Sequence, residues 1–170
     1  MGKLIKRSDK LAFYGITTDD TTVYHRMTGF TEISISKNPK EYTRQYVDED
    51  FEQSDVVGFS PQISFSFDCY SDNLVHKDIV SITDNESLGS DAVREIITVD
   101  LTNGNDETGY YAILRKYSVI PDNEGSETDA YTYSGTFKVN SEKTFGKAVS
   151  ADNFETVTFT QDWFKHLKAA

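Results

Sequence analysis

The chain has 170 residues, 37% hydrophobic and 13% aromatic, and its 28 acidic against 17 basic side chains give a formal net charge of −11. That length suffices for one domain with its own core, residues 1–170. The acidity argues against tight nucleic-acid binding, which needs cations to neutralise phosphates, and against an anionic membrane surface; the single cysteine, Cys69, excludes an intrachain disulfide.

Tyr, Phe, Thr and Ser are frequent while Ala and Leu are sparse, a mix that suits half-buried pleated strands. Residues 1–12 read as an N-terminal arm made basic by Lys3, Lys6, Arg7 and Lys10. No apolar run follows them as a signal peptide would require, and no stretch of about 18 apolar residues marks a membrane span. Folding in a reducing cytosol is the expectation. A strand region is expected over residues 22–36, where Thr31-Glu32-Ile33-Ser34-Ile35-Ser36 alternates polar and apolar. Residues 37–57 form a long excursion, too polar for a core and too patterned for a slack linker. An excursion of this size in a small β-domain usually serves something outside the domain. Alternation returns over residues 58–70, in Ile63-Ser64-Phe65-Ser66-Phe67-Asp68.

Ser71-Asp72-Asn73 then offers helix N-cap residues. Val75, Ile79 and Ile82, at i, i+4 and i+7, predict a helix over residues 72–84. Asn85 to Gly89 ends it, with Gly89 available for a left-handed turn. The second half reads as strands: Ile97, Val99 and Leu101 share one parity, as do Tyr111, Ile113, Arg115, Tyr117 and Val119, and again Tyr131, Tyr133, Phe137 and Val139. Turn-rich residues 103–109 and an acidic loop over residues 122–129 separate them. Short strands are expected at 145–149 and 155–160, before a tail, residues 161–170, carrying Trp163, Phe164 and Leu167. Strands, one helix, then strands predict a mainly β (α+β) fold, a β-barrel or sandwich of two packed sheets flanked by one α-helix.

Catalytic patterns are weak. Gly58-Phe59-Ser60-Pro61-Gln62 lacks the second glycine of a nucleophile elbow. Cys69 with His25 or His76 is the one conceivable thiol pair, and a lone cysteine ending an alternating strand is more often a small core filler. His25, His76 and His166 make no ligand spacing, and Asp122-Asn123-Glu124-Gly125 has its glycine in the wrong place for a calcium loop. The carboxylates cluster in polar loops, where solubility and turn chemistry account for them. No glycine-rich phosphate loop calls for a cofactor, and Asn85-Glu86-Ser87 is a glycosylation sequon with no secretory signal to give it meaning. The remaining features are surfaces. Tyr42, Arg44 and Tyr46 stand among Glu41, Asp48, Glu49 and Asp50 in the excursion, and Tyr and Arg dominate interface hot spots. The plainer reading is a hairpin with cross-strand tyrosines. Trp163 and Phe164 either fold back on the domain or dock on a neighbour.

Tyr42-Thr43-Arg44-Gln45-Tyr46-Val47-Asp48-Glu49, then Ser54-Asp55-Val56-Val57-Gly58-Phe59-Ser60-Pro61, then Ile63-Ser64-Phe65-Ser66-Phe67-Asp68 and the helix beginning near Asn73 resemble the major tail (tail tube) proteins of tailed phages and prophages of Gram-positive bacteria. The resemblance covers about residues 23–160 and has no catalytic signature to anchor it. It implies a non-enzymatic structural protein of the phage tail; contractile-phage and type VI secretion tubes share the fold class, and the resemblance favours the non-contractile, siphophage kind. Six copies would form a ring whose inner strands join into one barrel, and rings would stack into a tube that serves as the genome's conduit. The implied partners are other copies, the tape measure protein, and tail terminator and tail-tip proteins, with DNA only in passage and no membrane. The implied location is the virion tail, and the host cytoplasm before assembly. In that family a long loop after an early strand reaches the next ring, here residues 37–57, and terminal arms add contacts. The acidic stretch Asp48–Asp55 and the basic arm Lys3, Lys6, Arg7 and Lys10 are then a complementary pair between rings, and a carboxylate-lined lumen would repel DNA phosphates. The alternative is a ligand- or receptor-binding β-domain, an adhesin or carbohydrate-binding module, supported by Trp163, Tyr110 and Tyr111 but lacking an export signal. An enzyme on a β-barrel has only the plentiful carboxylates behind it.

Overall fold

A computed structural model describes residues 2–161. Among them are eleven strands, one α-helix and two 3-10 turns. The strands are β1 (Lys10–Thr18), β2 (Thr21–Arg26), β3 (Phe30–Ser36), β4 (Pro39–Arg44), β5 (Gln53–Phe59), β6 (Gln62–Asp68), β7 (Val93–Asn105), β8 (Gly109–Glu124), β9 (Thr132–Val139), β10 (Thr144–Val149) and β11 (Thr156–Gln161). The helix α1 is Leu74–Asp84.

Six strands close a barrel, all antiparallel: β1 pairs with β2 and β7, β2 with β11, β11 with β10, β10 with β8, and β8 with β7. The mainly β barrel fold with one helix is therefore present. β8 makes the second layer possible, because its 16 residues are too many for the barrel alone. Tyr110–Leu114 pair with β10, and the same edge further along, Tyr117–Glu124, pairs with β9. From β9 the sheet continues through β6 to β3.

Two cores result. Inside the barrel lie Leu11, Phe13, Ile97, Val99, Ala112, Ala148 and Val157. Between the outer face of β1, β7 and β8, the β9–β6–β3 extension and α1 lie Tyr14, Ile96, Val119, Phe65, Phe67, Phe137 and the helix residues Val75, Ile79 and Ile82. The stripe that predicts the helix is the stripe that is buried. Each such side chain contributes roughly 1.5–3 kcal/mol on burial. Asn73 caps the helix, its Oδ1 accepting from the Val75 N–H at 3.0 Å and the His76 N–H at 3.2 Å.

The chain departs from expectation in three places. β1 begins at Lys10, inside the span read as an arm, and buries Leu11, Phe13 and Tyr14. Residues 22–36 are two strands split at Met27–Gly29, where Gly29 at φ +76° lets the chain pass beside His76, an added Cβ meeting its ring at 2.8 Å. The left-handed residue that closes α1 is Glu86 (φ 49°), not Gly89, because the Ser87 N–H reaches the Ile82 carbonyl at 3.1 Å and the Glu86 N–H reaches Thr83 at 3.2 Å, which completes the cap three residues earlier.

Candidate functional site

Residues 37–60 leave the body of the molecule as a hairpin. β4 and β5 pair only with each other among the described strands, in a register that runs from Pro39↔Phe59 to Arg44↔Gln53 with a bulge at Lys40/Glu41. Asn38 clamps the neck: its carbonyl accepts from the Ser60 N–H at 3.2 Å, and its Nδ2 donates to the Ser60 carbonyl at 3.1 Å. Asn38 takes φ 45° to do so, a left-handed value that Asn tolerates better than most residues.

The tip is ordered by its own polar groups. The Glu49 N–H donates to the Tyr46 carbonyl at 3.1 Å, and the Gln53 and Gln45 amides donate to the Glu49 carboxylate and carbonyl at 2.7 and 3.0 Å. Arg44 joins both sides of the hairpin. Its Nη1 pairs with Asp55 at 2.7 Å, its Nε donates to the Tyr46 hydroxyl at 3.0 Å, and its guanidinium stands 5.3 and 5.6 Å from the Tyr42 and Tyr46 ring centroids. The tyrosines are not a cross-strand pair. Tyr42 faces Asp55 across the ladder and Tyr46 lies beyond the strand, so Arg44 is what brings them together.

Beyond this knot the hairpin is unusually apolar for an exposed element. Val47, Phe51, Val56, Val57 and Phe59 are all exposed, as are Tyr42 and Tyr46. No core lies beneath a two-stranded ribbon to cover them. Sequence reasoning missed the first five because Val47, Phe51, Val56 and Val57 are scattered through a stretch that reads as polar, and Phe59 falls in the alternation of residues 58–70. The signal that was available is the Val56-Val57 pair, which puts an apolar side chain on each face of one strand. A patch of this kind marks a contact with another macromolecule. The body adds a second such feature. β3 pairs with β6 on one side and with no described strand on the other, leaving an open edge of the kind that templates strand addition.

The hairpin thus carries Tyr42, Arg44, Tyr46, Asp48, Glu49 and Asp50 together. The basic arm is elsewhere and partly committed. Arg7 donates to the Lys10 carbonyl at 2.5 Å and the Ile33 carbonyl at 3.4 Å, the Lys6 N–H donates to Asp9 at 2.8 Å, and Lys10 pairs with Asp100 at 2.7 Å. Lys3 is exposed. Trp163 and Phe164 lie outside the described residues.

Cys69 is exposed, and partial burial pushes its thiol up, away from a reactive thiolate. His76 is fully buried and committed at both nitrogens: Nδ1 accepts from the Tyr70 N–H at 3.1 Å and Nε2 lies 2.8 Å from the Thr28 carbonyl, which fixes a neutral ring with the proton on Nε2. Among the described residues no three of His, Cys, Asp and Glu are placed to hold a metal, and no helix is long and apolar enough to cross a membrane.

No family model and no curated protein matches the chain. Its fold does recur in solved structures. A chain of the virion of a native gene transfer agent particle superposes with a TM-score of 0.57 at 14% identity, over 84% of this chain and 98% of that one. A chain of the anti-feeding prophage baseplate, solved with 6-fold symmetry, gives 0.50 at 5% identity, over 85% and 97%. A chain of the sheath–tube complex of an extracellular contractile injection system, in its extended state, gives 0.43 at 14% identity, over 85% and 92%. The first two likenesses show a shared fold, and this chain spans nearly the whole length of both chains.

Proposed function

We propose that the chain is a structural tail subunit that self-assembles into six-membered rings, stacked as a tube through which a genome passes during delivery. The observation that carries the reading is the hairpin, a ribbon with seven exposed apolar or aromatic residues that no described part of its own chain covers. Such a surface is costly in a monomer and gains free energy when a neighbour buries it. The open edge of β3 supports the same conclusion, since pairing across subunits satisfies its backbone groups. Six as the ring size rests on the sequence resemblance; the anti-feeding prophage baseplate, one chain of which has a similar fold, is 6-fold symmetrised. The non-contractile, siphophage type, the Gram-positive source and the tape measure, terminator and tip proteins as partners rest on the sequence resemblance. On this reading the protein acts in the virion and waits in the host cytoplasm before assembly.

Negative-stain electron microscopy of the purified chain over a concentration series, with sedimentation velocity alongside, tests the proposal. Rings or tubes with a central hole are expected. A monomer at every concentration that instead binds glycans on an array would overturn it in favour of a ligand-binding domain.

A further inference from the structure

The space between the two layers is filled by α1 at one end only. At the other it stays open as a groove of about 520 Å³, floored by Ile33, Ile35, Ile63, Ile96, Tyr111 and Ile113. Ile63 and Ile96 also belong to the second core, so the groove is that core's uncovered continuation. Arg7, Lys10 and Asp100 also line it, Lys10 paired with Asp100, and three further cations lie next to its lining. Arg115 follows Ile113 by two residues on β8 and so lies on the same side of that strand, and Lys37 directly follows the end of β3. Lys143 stands close enough to both that their charges, after burial, lower its pKa. Arg115 donates its Nε to the Ser141 carbonyl at 2.7 Å, and none of the three pairs with a carboxylate of the described chain, the adjacent Glu142 included. In a chain of net charge −11, three cations gathered without an internal counter-charge are a local inversion of sign.

The hairpin tip carries the matching set. Glu49 is held by Gln53 and Asp55 by Arg44. Asp48, Asp50 and Glu52 are exposed and make no ion pair within the described chain. Between them stand Val47 and Phe51, both exposed. We propose that the hairpin tip of one copy docks in this groove of a second copy, Val47 and Phe51 entering the apolar floor while Asp48, Asp50 and Glu52 meet Lys37, Arg115 and Lys143. The occupant cannot be the chain's own tip. Lys37 adjoins the hairpin's neck, and six paired residues at roughly 3.3 Å each hold the tip about 20 Å away from it. The contact is heterologous, tip to groove, so it propagates from copy to copy and builds rings or stacks rather than closed dimers. Arg7 and Lys10 of the basic arm line the same groove, already bonded to the Ile33 carbonyl and to Asp100.

This inference rests on the self-assembly reading, and a charge swap separates the two. One variant carries Lys37→Glu and Lys143→Glu, which leaves the Arg115–Ser141 bond in place; the other carries Asp48→Lys, Asp50→Lys and Glu52→Lys. Circular dichroism establishes that both are folded, and sedimentation velocity with electron microscopy reads assembly. Each alone should need at least about tenfold more protein than the wild type to assemble, because like charges face each other at the contact. An equimolar mixture should assemble near the wild-type concentration, since each tip then finds a groove of opposite sign. Wild-type assembly with unimpaired variants, or with folded variants that the mixture does not rescue, overturns the docking and spares the tube subunit. A wild type, variants and mixture that all remain monomeric overturn both.

Discussion

Phe13 and Tyr14 are adjacent in sequence, fully buried, and lie in different cores. β1 is the wall between the barrel interior and the helix-covered layer, so successive side chains enter opposite compartments. Ile96 and Ile97 on β7 repeat the relationship. The two sides differ in chemistry. Phe13 is surrounded by apolar groups, whereas the Tyr14 hydroxyl donates to Asp78, which Arg94 also binds at 2.8 Å. Burial first and Asp78 second push the Tyr14 hydroxyl well above its usual range, so it remains a donor at any physiological pH. Phe13→Ala should therefore cost about 3–5 kcal/mol. Tyr14→Phe keeps the ring and loses one bond to a charged group, about 1.5–3 kcal/mol. Urea unfolding of the unassembled chain reads both, and a Tyr14→Phe loss equal to that of Phe13→Ala would contradict the two-compartment account.

The same wall explains what was legible in the sequence. Elements with one buried face announced themselves: Val75, Ile79 and Ile82 mark the helix, and Ile63, Phe65 and Phe67 alternate with half-buried polar residues along β6. β1 did not, because Leu11-Ala12-Phe13-Tyr14 is apolar on both faces and has no period to detect. The hairpin was legible only as the plainer reading of the excursion, for the opposite reason. β4 has no buried face, so its Pro-Lys-Glu-Tyr-Thr-Arg reads as polar chain, and only pairing with β5 makes it a strand. The groove was invisible because its floor comes from β1, β3, β6, β7 and β8, which only the barrel's closure brings together.

His76 gives the fold a pH dependence of known sign. Burial is the main cause that holds its pKa below the usual 6.5, with the ring stacked 4.2 Å from Phe67. The unfolded chain therefore binds the proton more readily than the folded one. Its contribution is whole above about pH 6.5 and is lost as pH falls from there towards the folded value. The slope is at most about 1.4 kcal/mol per pH unit. His76→Phe should be less stable at pH 7.5, since the Tyr70 N–H and Thr28 carbonyl lose their partner, yet show a flatter decline between pH 7 and 5. Thermal melts across that range measure it. Parallel declines in the two chains would remove His76 as the cause.

Asn73 serves two elements at once. Beyond capping α1, its Nδ2 donates to the Thr28 carbonyl and hydroxyl at 3.2 Å each, tying the helix start to the link between β2 and β3. A cap alone is worth about 1 kcal/mol. Asn73→Asp keeps the cap oxygen and removes the donor, and Asn73→Ala removes both. Denaturant titration should rank them wild type, then Asp, then Ala. An Asp variant as stable as the wild type would make the Thr28 link irrelevant.

Arg44 should matter to assembly and scarcely to folding. Its partners Asp55, Tyr42 and Tyr46 all belong to the hairpin, and the Asp55 carboxylate is well exposed. An exposed pair of this kind is worth about 0–1 kcal/mol, so Arg44→Ala should leave the melting of the barrel almost unchanged. The guanidinium nevertheless fixes where the tip points, because it ties the end of β4 to the loop through Tyr46 and to β5 through Asp55. Freeing the tip means that its order must be restored at each contact, at about 0.5–1.5 kcal/mol for every mobile side chain. The concentration needed for assembly should then rise several-fold in Arg44→Ala. Excision of residues 39–59 sharpens the separation. Asn38 and Ser60 are already hydrogen-bonded at the neck, so a short Gly-rich turn can replace the ribbon without moving β3 or β6. The excised chain should unfold cooperatively at close to the wild-type temperature and remain unassembled. If it assembles normally, the hairpin is not the contact; if it fails to fold, the ribbon supports the body in a way its pairing does not reveal.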